Sequence, residues 1–218
     1  MASDSIRRTA DYNKRAKRLE ARWQKLCALF LPRAPQDSIW RYSGSRRRKL
    51  PLVGWKIHIS ATILNASEVL KRIAPLLTER GVSFKAPRSL IEVLKLNSGL
   101  DYAYSQVGKV FTVYPRNDRE AVALAKELHR LTRRFAAPSI PFDLQFGDLS
   151  NVYYRFGPFA HIEIDRGGQK TLATYDAKGK LIPDNREDPM PEWVSDPFEP
   201  QRPPSRRRTQ PADRKSVV

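Results

Sequence analysis

The chain has 218 residues, with 40 Lys and Arg against 23 Asp and Glu, which gives a formal net charge of +17. This length accommodates one domain with a proper core plus extensions, and the charge favours an acidic or phosphorylated partner. One cysteine and three histidines exclude a disulfide framework and offer no zinc-ligand spacing, so no metal or other cofactor is expected. No run of about eighteen apolar residues exists to span a membrane.

Residues 5–31 have the periodicity of an amphipathic helix with a basic face. Apolar side chains recur at spacings of three and four, and the pattern ends before Pro32. The stretch lacks the continuous apolar run of a signal peptide. Such a helix either packs its apolar stripe on the domain or docks on a partner or membrane surface.

A strand predicted at residues 54–61 places charged and titratable side chains in an apolar run. Alternation by two puts Lys56, His58 and Ser60 on one face, opposite a face made of tryptophan and isoleucine. If the apolar face packs into the core, the polar face lines a cleft with a cation beside a group that titrates near neutrality. The same spacing also fits an edge strand with one face in solvent.

The remaining elements mix helices and strands without a regular βαβ rhythm. Helices are predicted at 66–79, 89–96 and 118–134, and strands at 110–114, 152–156, 160–164 and 172–176, with a turn at 177–180. We therefore predict a single α+β domain with a mostly antiparallel sheet flanked by helices. It spans residues 40–198, between a basic N-terminal helical extension at 1–39 and a disordered, basic, Pro- and Arg-rich tail at 199–218.

Several short blocks occur in an order that resembles a known family. They are GWKIHISAT at 54–62, FK at 84–85, RS at 88–89, GKVFTVYP at 108–115, VYYRFG at 152–157, DNR at 184–186 and PEWVSDPF at 191–198. In this order they resemble the N-terminal lyase domain of class III and class IV lanthipeptide synthetases, which is similar to the phosphothreonine lyase effectors of pathogenic bacteria. The resemblance covers residues 40–198.

The resemblance implies β-elimination of phosphate from phosphoserine or phosphothreonine in a precursor peptide, giving dehydroalanine or dehydrobutyrine in a bacterial cytoplasm. It implies that Lys85 is the base that removes the Cα proton and that His58 is the acid that protonates the departing phosphate. Lys56 and Arg155 would hold phosphate oxygens. These side chains suit the roles, because neighbouring cations or a dry pocket make a lysine neutral near pH 7, and a guanidinium is always charged.

Lys109, Tyr114 and Arg186 are secondary candidates for the same phosphate shell. Each candidate also has a structural interpretation. Tyr114 fits a strand aromatic that packs on its neighbours, Arg186 fits a solvated arginine in a turn, and Arg155 fits a surface residue lying on an aromatic ring. His129 and His161 match no part of the expected site.

Two departures from the family pattern change the expectations. The stretch at 97–107 lacks the arginine that helps the family bind phosphate, so either Arg88 or Arg116 replaces it or phosphate binding is impaired. The chain also lacks the Gly-rich loop, the His-Arg-Asp loop and the Asp-Phe-Gly triplet of a protein kinase. A stand-alone lyase of this kind would need a separate Ser/Thr kinase and, for ring closure, a cyclase.

Two other functions remain open at the level of sequence. The first is a catalytically inert relative that binds a phosphopeptide or leader peptide in its basic cleft. The second is a nucleic-acid-binding protein, since basic runs attract RNA, DNA or an anionic membrane equally. Nucleic-acid binding would depend steeply on salt and would be insensitive to Lys85→Ala.

Overall fold

The computed structural model describes residues 2–44 and 49–199. Its elements in chain order are α1 (Ala2–Phe30), β1 (Trp40–Tyr42), β2 (Val53–Ile59), α2 (Ala66–Glu79), β3 (Ser83–Pro87), α3 (Leu90–Ser98), β4 (Phe111–Tyr114), α4 (Asp118–Thr132), β5 (Leu144–Gln145), β6 (Val152–Pro158), β7 (Glu163–Arg166), β8 (Gln169–Tyr175) and β9 (Leu181–Pro183). The predicted α+β class is confirmed. From residue 200 onward, the predicted tail lies outside the described residues.

Six strands form the main sheet in the order β1-β3-β4-β2-β6-β5, and β7, β8 and β9 form a small second sheet. Every neighbouring pair is antiparallel, as predicted. The sequence did not indicate β1, β5 or β9, because strands of two or three residues are too short to show a period of two. β7 begins at Glu163 rather than at the predicted residue 160, since residues 159–162 connect the two sheets.

Local signals set the ends of the helices. Gly81 closes α2: it has a φ of 61°, and its N–H donates to the carbonyl of Thr78 at 2.9 Å. Ser89 and Asn117 cap the N-termini of α3 and α4, where their side chains accept hydrogen bonds from the backbone N–H three residues later. The helices therefore begin and end within a few residues of their predicted bounds.

The helices build the core on one face of the main sheet. Side chains from α2 and α4 pack with Trp55 and Ile57 of β2, and α1 adds Trp23 and Cys27, followed by Leu31 just after the helix, each 0% exposed. The apolar stripe of α1 thus packs on the domain, and the core continues across the predicted boundary at residue 40. Within the described ranges, no helix has both the length and the apolar character needed to cross a membrane.

The segment after β9 returns to this core. Phe198 is 0% exposed and stacks on Tyr154 of β6, with ring centroids 3.9 Å apart and an interplanar angle of 25°. The hydroxyl of Tyr154 donates to a carboxylate oxygen of Asp196 at 2.9 Å. These contacts hold the C-terminal segment against β6.

Candidate active site

One row of directly paired residues crosses the main sheet through both expected catalytic side chains. Tyr42 pairs with Lys85, Lys85 with Thr112, Thr112 with His58, and His58 with Tyr153. Directly paired residues project from the same face of a sheet. Lys85 and His58 therefore face the same way with one strand between them, which places their Cα atoms about 10 Å apart.

The next row adds two cations to this face. Lys56 of β2 pairs with Arg155 of β6. A Cβ atom on Gly157 would lie 3.4 Å from Lys56 Nζ and 3.8 Å from Arg155 Nη1, so both cations pass close to this glycine. A larger residue at position 157 would crowd both charged groups.

A cavity of about 120 Å³ opens on this face, between the main sheet and the small sheet. All seven residues that the sequence put forward line it: Lys85, His58, Lys56, Arg155, Lys109, Arg186 and Tyr114. The prediction that alternate residues of β2 lie on opposite faces of the sheet is also confirmed. Ile57 and Ile59 are fully buried in the core, while Lys56 and His58 line the cavity. The edge-strand alternative is wrong because β2 lies between β4 and β6.

Asp143 joins two of these residues from behind the cavity. Its side chain is 0% exposed, and its carboxylate oxygens lie 2.5 Å from Nδ1 of His58 and 2.8 Å from Nζ of Lys109. Because a carboxylate only accepts, Nδ1 carries a proton and Nε2 is the ring nitrogen that remains for the cavity. Asp143 therefore fixes both the tautomer and the orientation of His58.

The charge state of His58 follows from its surroundings. Burial lowers its pKa well below the ordinary value, and the cations Lys109 and Lys56 act in the same direction, while Asp143 opposes them. The pKa of Asp143 is lowered instead, to about 2, because the contacts with His58 and Lys109 outweigh the opposing effect of burial. Lys109 and Asp143 thus form a buried ion pair behind a neutral imidazole.

Two of the three described lysines that line the cavity, Lys56 and Lys85, have pKa values near neutrality. Burial lowers the pKa of Lys56 to about 7, helped chiefly by Arg155, and Lys56 Nζ donates to the carbonyl of Pro158 at 2.9 Å. Burial also lowers the pKa of Lys85 to about 8, with Arg186 and Lys109 contributing. The ammonium of Lys85 lies 4.0 Å from the ring centroid of Trp40 and has no hydrogen bond to another described residue.

The loop after β9 holds the guanidinium of Arg155. Nη2 of Arg155 lies 3.3 Å from a carboxylate oxygen of Asp184 and 3.3 Å from each of the carbonyl oxygens of Asn185 and Asp188. These three distances are long for hydrogen bonds. Nε of Arg155 and Nε of Arg186 are buried without a hydrogen-bond partner among the described residues. Nε of Arg186 lies 3.6 Å from a carboxylate oxygen of Asp184, which is too far for a hydrogen bond. Two buried N–H groups without a hydrogen bond to a described residue, both on cations that line one cavity, are the arrangement expected of an anion site.

Sequence reasoning missed several residues of this site. Asp143, Asp184, Thr112 and Gln106 were not put forward, and His161 was set aside although it lines the cavity. Alternation along β4 could have found Thr112, which lies on the same face as Tyr114. No local pattern marks the two aspartates, since each lies in a loop and meets its partners through the tertiary fold.

Neither suggested replacement for the family's arginine lines the cavity. The guanidinium of Arg88 donates to the carbonyl of Gln36, and that of Arg116 contacts the carboxylate of Glu120. This expectation was wrong because the backbone of Arg88 is held beside α1 and Ile39, and Arg116 precedes α4 on the surface. Lys109, Arg155 and Arg186 supply the positive charge instead.

Comparisons with known proteins found similar sequences and structures. A protein described as a probable SapB synthase, from Streptomyces coelicolor, is 37% identical over 152 residues, which cover 68% of this chain but only 16% of that protein. The phosphothreonine lyase SpvC from Salmonella has a TM-score of 0.46 at 14% identity, over 61% of this chain and 74% of that one. OspF from Shigella flexneri, described as a type III effector and phosphothreonine lyase, has a TM-score of 0.44 at 14% identity, over 56% and 66%.

A sequence family covers most of the chain. Residues 32–210 match the family described as RamC, N-terminal domain. The match includes the six-stranded sheet, the cavity and every cation that lines it. The chain therefore belongs to the RamC N-terminal domain family.

Proposed function

We propose that this protein is a phosphoserine/phosphothreonine lyase that eliminates phosphate from a phosphorylated peptide. One observation carries the proposal: five cationic side chains surround a small cavity in which Lys85 and His58 lie on one row of the sheet, separated by Thr112. A phosphate group fits the charge and size of this cavity. The Cα and Cβ atoms of the phosphorylated residue would then lie between Lys85 and His58.

Lys85 is proposed as the base. Its neutral amine takes the proton from Cα, the electron pair of that bond forms the double bond between Cα and Cβ, and the bond from Cβ to the phosphate oxygen breaks. A pKa near 8 leaves a useful fraction of Lys85 neutral at pH 7. Lys56, with its lower pKa, is the competing base, but its amine is already engaged with the carbonyl of Pro158.

His58 is proposed as the acid that protonates the bridging oxygen of the departing phosphate. The imidazole must be protonated for this step, and a phosphate dianion beside Nε2 raises the pKa of His58 through its charge. Asp143 stabilises the imidazolium and keeps Nε2 directed at the oxygen. The products are a dehydroamino acid in the peptide and free phosphate, so atoms and charge balance without a cofactor.

The remaining cations would stabilise the charge that develops on the leaving group. Arg155 and Arg186 each have a buried N–H that makes no hydrogen bond to a described residue and that a phosphate oxygen would satisfy. Asp184 contacts both guanidiniums and holds them beside the cavity. Donors fixed in advance in a site sheltered from water stabilise a transition state with little reorganisation.

The name of the relative from Streptomyces coelicolor, a probable SapB synthase, supports a role in biosynthesis. The resemblance of the sequence to lanthipeptide synthetases makes a precursor peptide in a bacterial cytoplasm the proposed substrate. A Ser/Thr kinase must first install the phosphate, from the same polypeptide or another chain. A cyclase that adds cysteine thiols to the dehydroamino acids is a proposed later partner.

Mass spectrometry of phosphoserine and phosphothreonine peptides tests the proposal. Incubation with the protein is expected to remove the elements of phosphoric acid, whereas a phosphatase would leave the hydroxyl oxygen on the peptide. Lys85→Ala and His58→Ala should each reduce the rate by about 10²- to 10⁴-fold. Lys126→Ala is the matched control, because Lys126 is exposed on α4 and lies outside the cavity.

Deuterium exchange separates the roles of Lys85 and His58. In heavy water, a His58→Ala protein that still has its base should exchange the Cα hydrogen of the phosphopeptide faster than a Lys85→Ala protein does. Phosphopeptide binding without any mass loss would instead favour the inert binding relative. Binding of RNA that depends steeply on salt and is unchanged by Lys85→Ala would favour the hypothesis of a nucleic-acid-binding protein.

A further inference from the structure

The row that contains Lys85 and His58 continues past Lys85 to an arginine. Tyr42 pairs with Lys85, and Arg33 and Tyr42 exchange both backbone hydrogen bonds, at 3.2 and 2.8 Å. Directly paired residues share a face, so Arg33 lies on the cavity face with one strand between it and Lys85. Ordinary strand spacing places the Cα atoms of Arg33 and Lys85 about 10 Å apart.

A groove follows this part of the row. It has a volume of about 540 Å³ and adjoins the cavity, with which it shares Lys85, Tyr114, Phe159 and His161. Its other lining residues are Arg33, Tyr42, Ser43, Leu50, Ser83 and Phe84. A chain that places one residue in the cavity can therefore continue along the groove.

The groove is positive and polar at its outer end. Arg33 is exposed, and its guanidinium makes no hydrogen bond or ion pair with any other residue that the structure describes. No carboxylate is among the described residues that line the groove. Its walls combine an aliphatic and an aromatic surface, from Leu50 and Phe159, with the hydroxyl groups of Tyr42 and Ser83. This is the chemistry of a site for an extended peptide with a negative side chain.

We infer that the groove binds the residues flanking the phosphorylated residue, and that Arg33 selects an anionic side chain near it in the substrate. The inference rests on the proposed function, because it places the phosphorylated residue in the adjoining cavity. An extended peptide advances about 3.3–3.6 Å per residue, so the selected side chain lies about two to four positions away. Arg33 is a specificity-determining residue that acts on binding and not on the chemical step.

Two kinds of anionic side chain meet this requirement, a carboxylate and a second phosphorylated residue. A guanidinium binds either of them through paired hydrogen bonds. A second phosphate carries more charge and more acceptor oxygens than a carboxylate. The test therefore includes both.

The test uses phosphoserine peptides in which Glu, Lys or a second phosphoserine occupies each position on either side of the first phosphoserine in turn. Binding is measured by fluorescence anisotropy with Lys85→Ala protein, which removes the proposed base and leaves the other residues that line the groove in place. At one or two positions, Glu is expected to bind roughly three- to tenfold more tightly than Lys. Tighter binding of phosphoserine than Glu at that position would identify a second phosphate as the preferred anion, and tighter binding of Glu would identify a carboxylate.

Arg33→Glu, added to the same protein, is expected to reverse the preference so that the Lys peptide binds more tightly. Lys126→Glu is the matched charge reversal on the opposite face and should leave the preference unchanged. The inference would be overturned if the ratio of Glu-peptide affinity to Lys-peptide affinity were the same before and after Arg33→Glu. It would also be overturned if no phosphopeptide bound.

The two proposals fail in different ways. Elimination by the unmodified protein, without any preference that depends on Arg33, removes the groove inference and leaves the lyase. A preference that depends on Arg33, without elimination, removes the lyase and leaves the groove as a peptide-binding site.

Discussion

The two faces of the main sheet are built from alternate residues of the same strands, yet their environments are opposite. On one face, Ile57 and Tyr154 are 0% exposed and pack with the helices and with Phe198. On the other face, Lys56 and His58 line a cavity that is surrounded by cationic side chains. Burial of apolar surface stabilises the first face, whereas buried like charges and unpaired donors destabilise the second. The comparison indicates that one face holds the fold together and allows the other to be built for chemistry.

Phe198→Ala tests this separation most strongly. Removing a fully buried aromatic ring that stacks on Tyr154 should cost about 3–5 kcal/mol of unfolding free energy. The kcat of the protein that remains folded should stay close to its original value. Urea unfolding and steady-state kinetics measure the two effects, and Leu100→Ala, at a site 89% exposed, is the control. A large fall in kcat without unfolding would show that the two faces are coupled.

Asp143→Asn should lower the activity of the cavity residues selectively. Asp143 raises the pKa of His58, so its loss lowers that pKa and leaves less of the protonated acid. We expect kcat to fall by roughly 10²-fold, with the loss growing as pH rises. The pH profile of kcat checks this. Asp101→Asn, at an exposed residue outside the cavity, should leave the profile unchanged. A uniform loss at every pH, together with a lower melting temperature, would indicate a purely structural role.

Arg186→Gln should raise the pKa of Lys85, and we expect a smaller effect on activity than that of Asp143→Asn. Burial lowers the pKa of Lys85 to about 8, and Arg186 makes the larger of the two cationic contributions, ahead of Lys109. Removing this cation raises the pKa, so Lys85 becomes neutral only at higher pH and is less available as a base near pH 7. NMR titration of lysines labelled with ¹³C at Cε, with Lys85→Arg for assignment, follows the shift. An unchanged titration in Arg186→Gln would mean that Arg186 does not contribute to the lowered pKa of Lys85.

Leu149→Asn should have the smallest effect and should involve neither face. Leu149 lies in the loop between β5 and β6, is 88% exposed, and has a φ of 58°. A leucine is strained in this left-handed conformation, whereas asparagine tolerates it. We expect a gain of up to about 1 kcal/mol in unfolding free energy, with unchanged kinetics. Thermal unfolding measures the gain, and a loss of stability would show that the side chain of Leu149 makes a contact that matters.

The sequence predicted the elements that carry enough repeats of a local period. The helices at α2 and α4 and the long strands β2 and β6 were found within a few residues of their bounds. The three shortest strands were missed, and they include β1, which carries Tyr42 and Trp40 beside Lys85. Two or three residues show no period, so only pairing with β3 makes β1 a strand.

The face that each β2 residue occupies was determined by the sequence, because alternation is a property of the extended backbone itself. Which aspartates meet the cations was decided only by the tertiary structure. Asp143 contacts His58 across 85 residues of chain, and it follows Phe142, whose φ of 63° is unusual for a residue other than glycine. Packing of the whole domain selects that loop conformation, and no local pattern of residues records it.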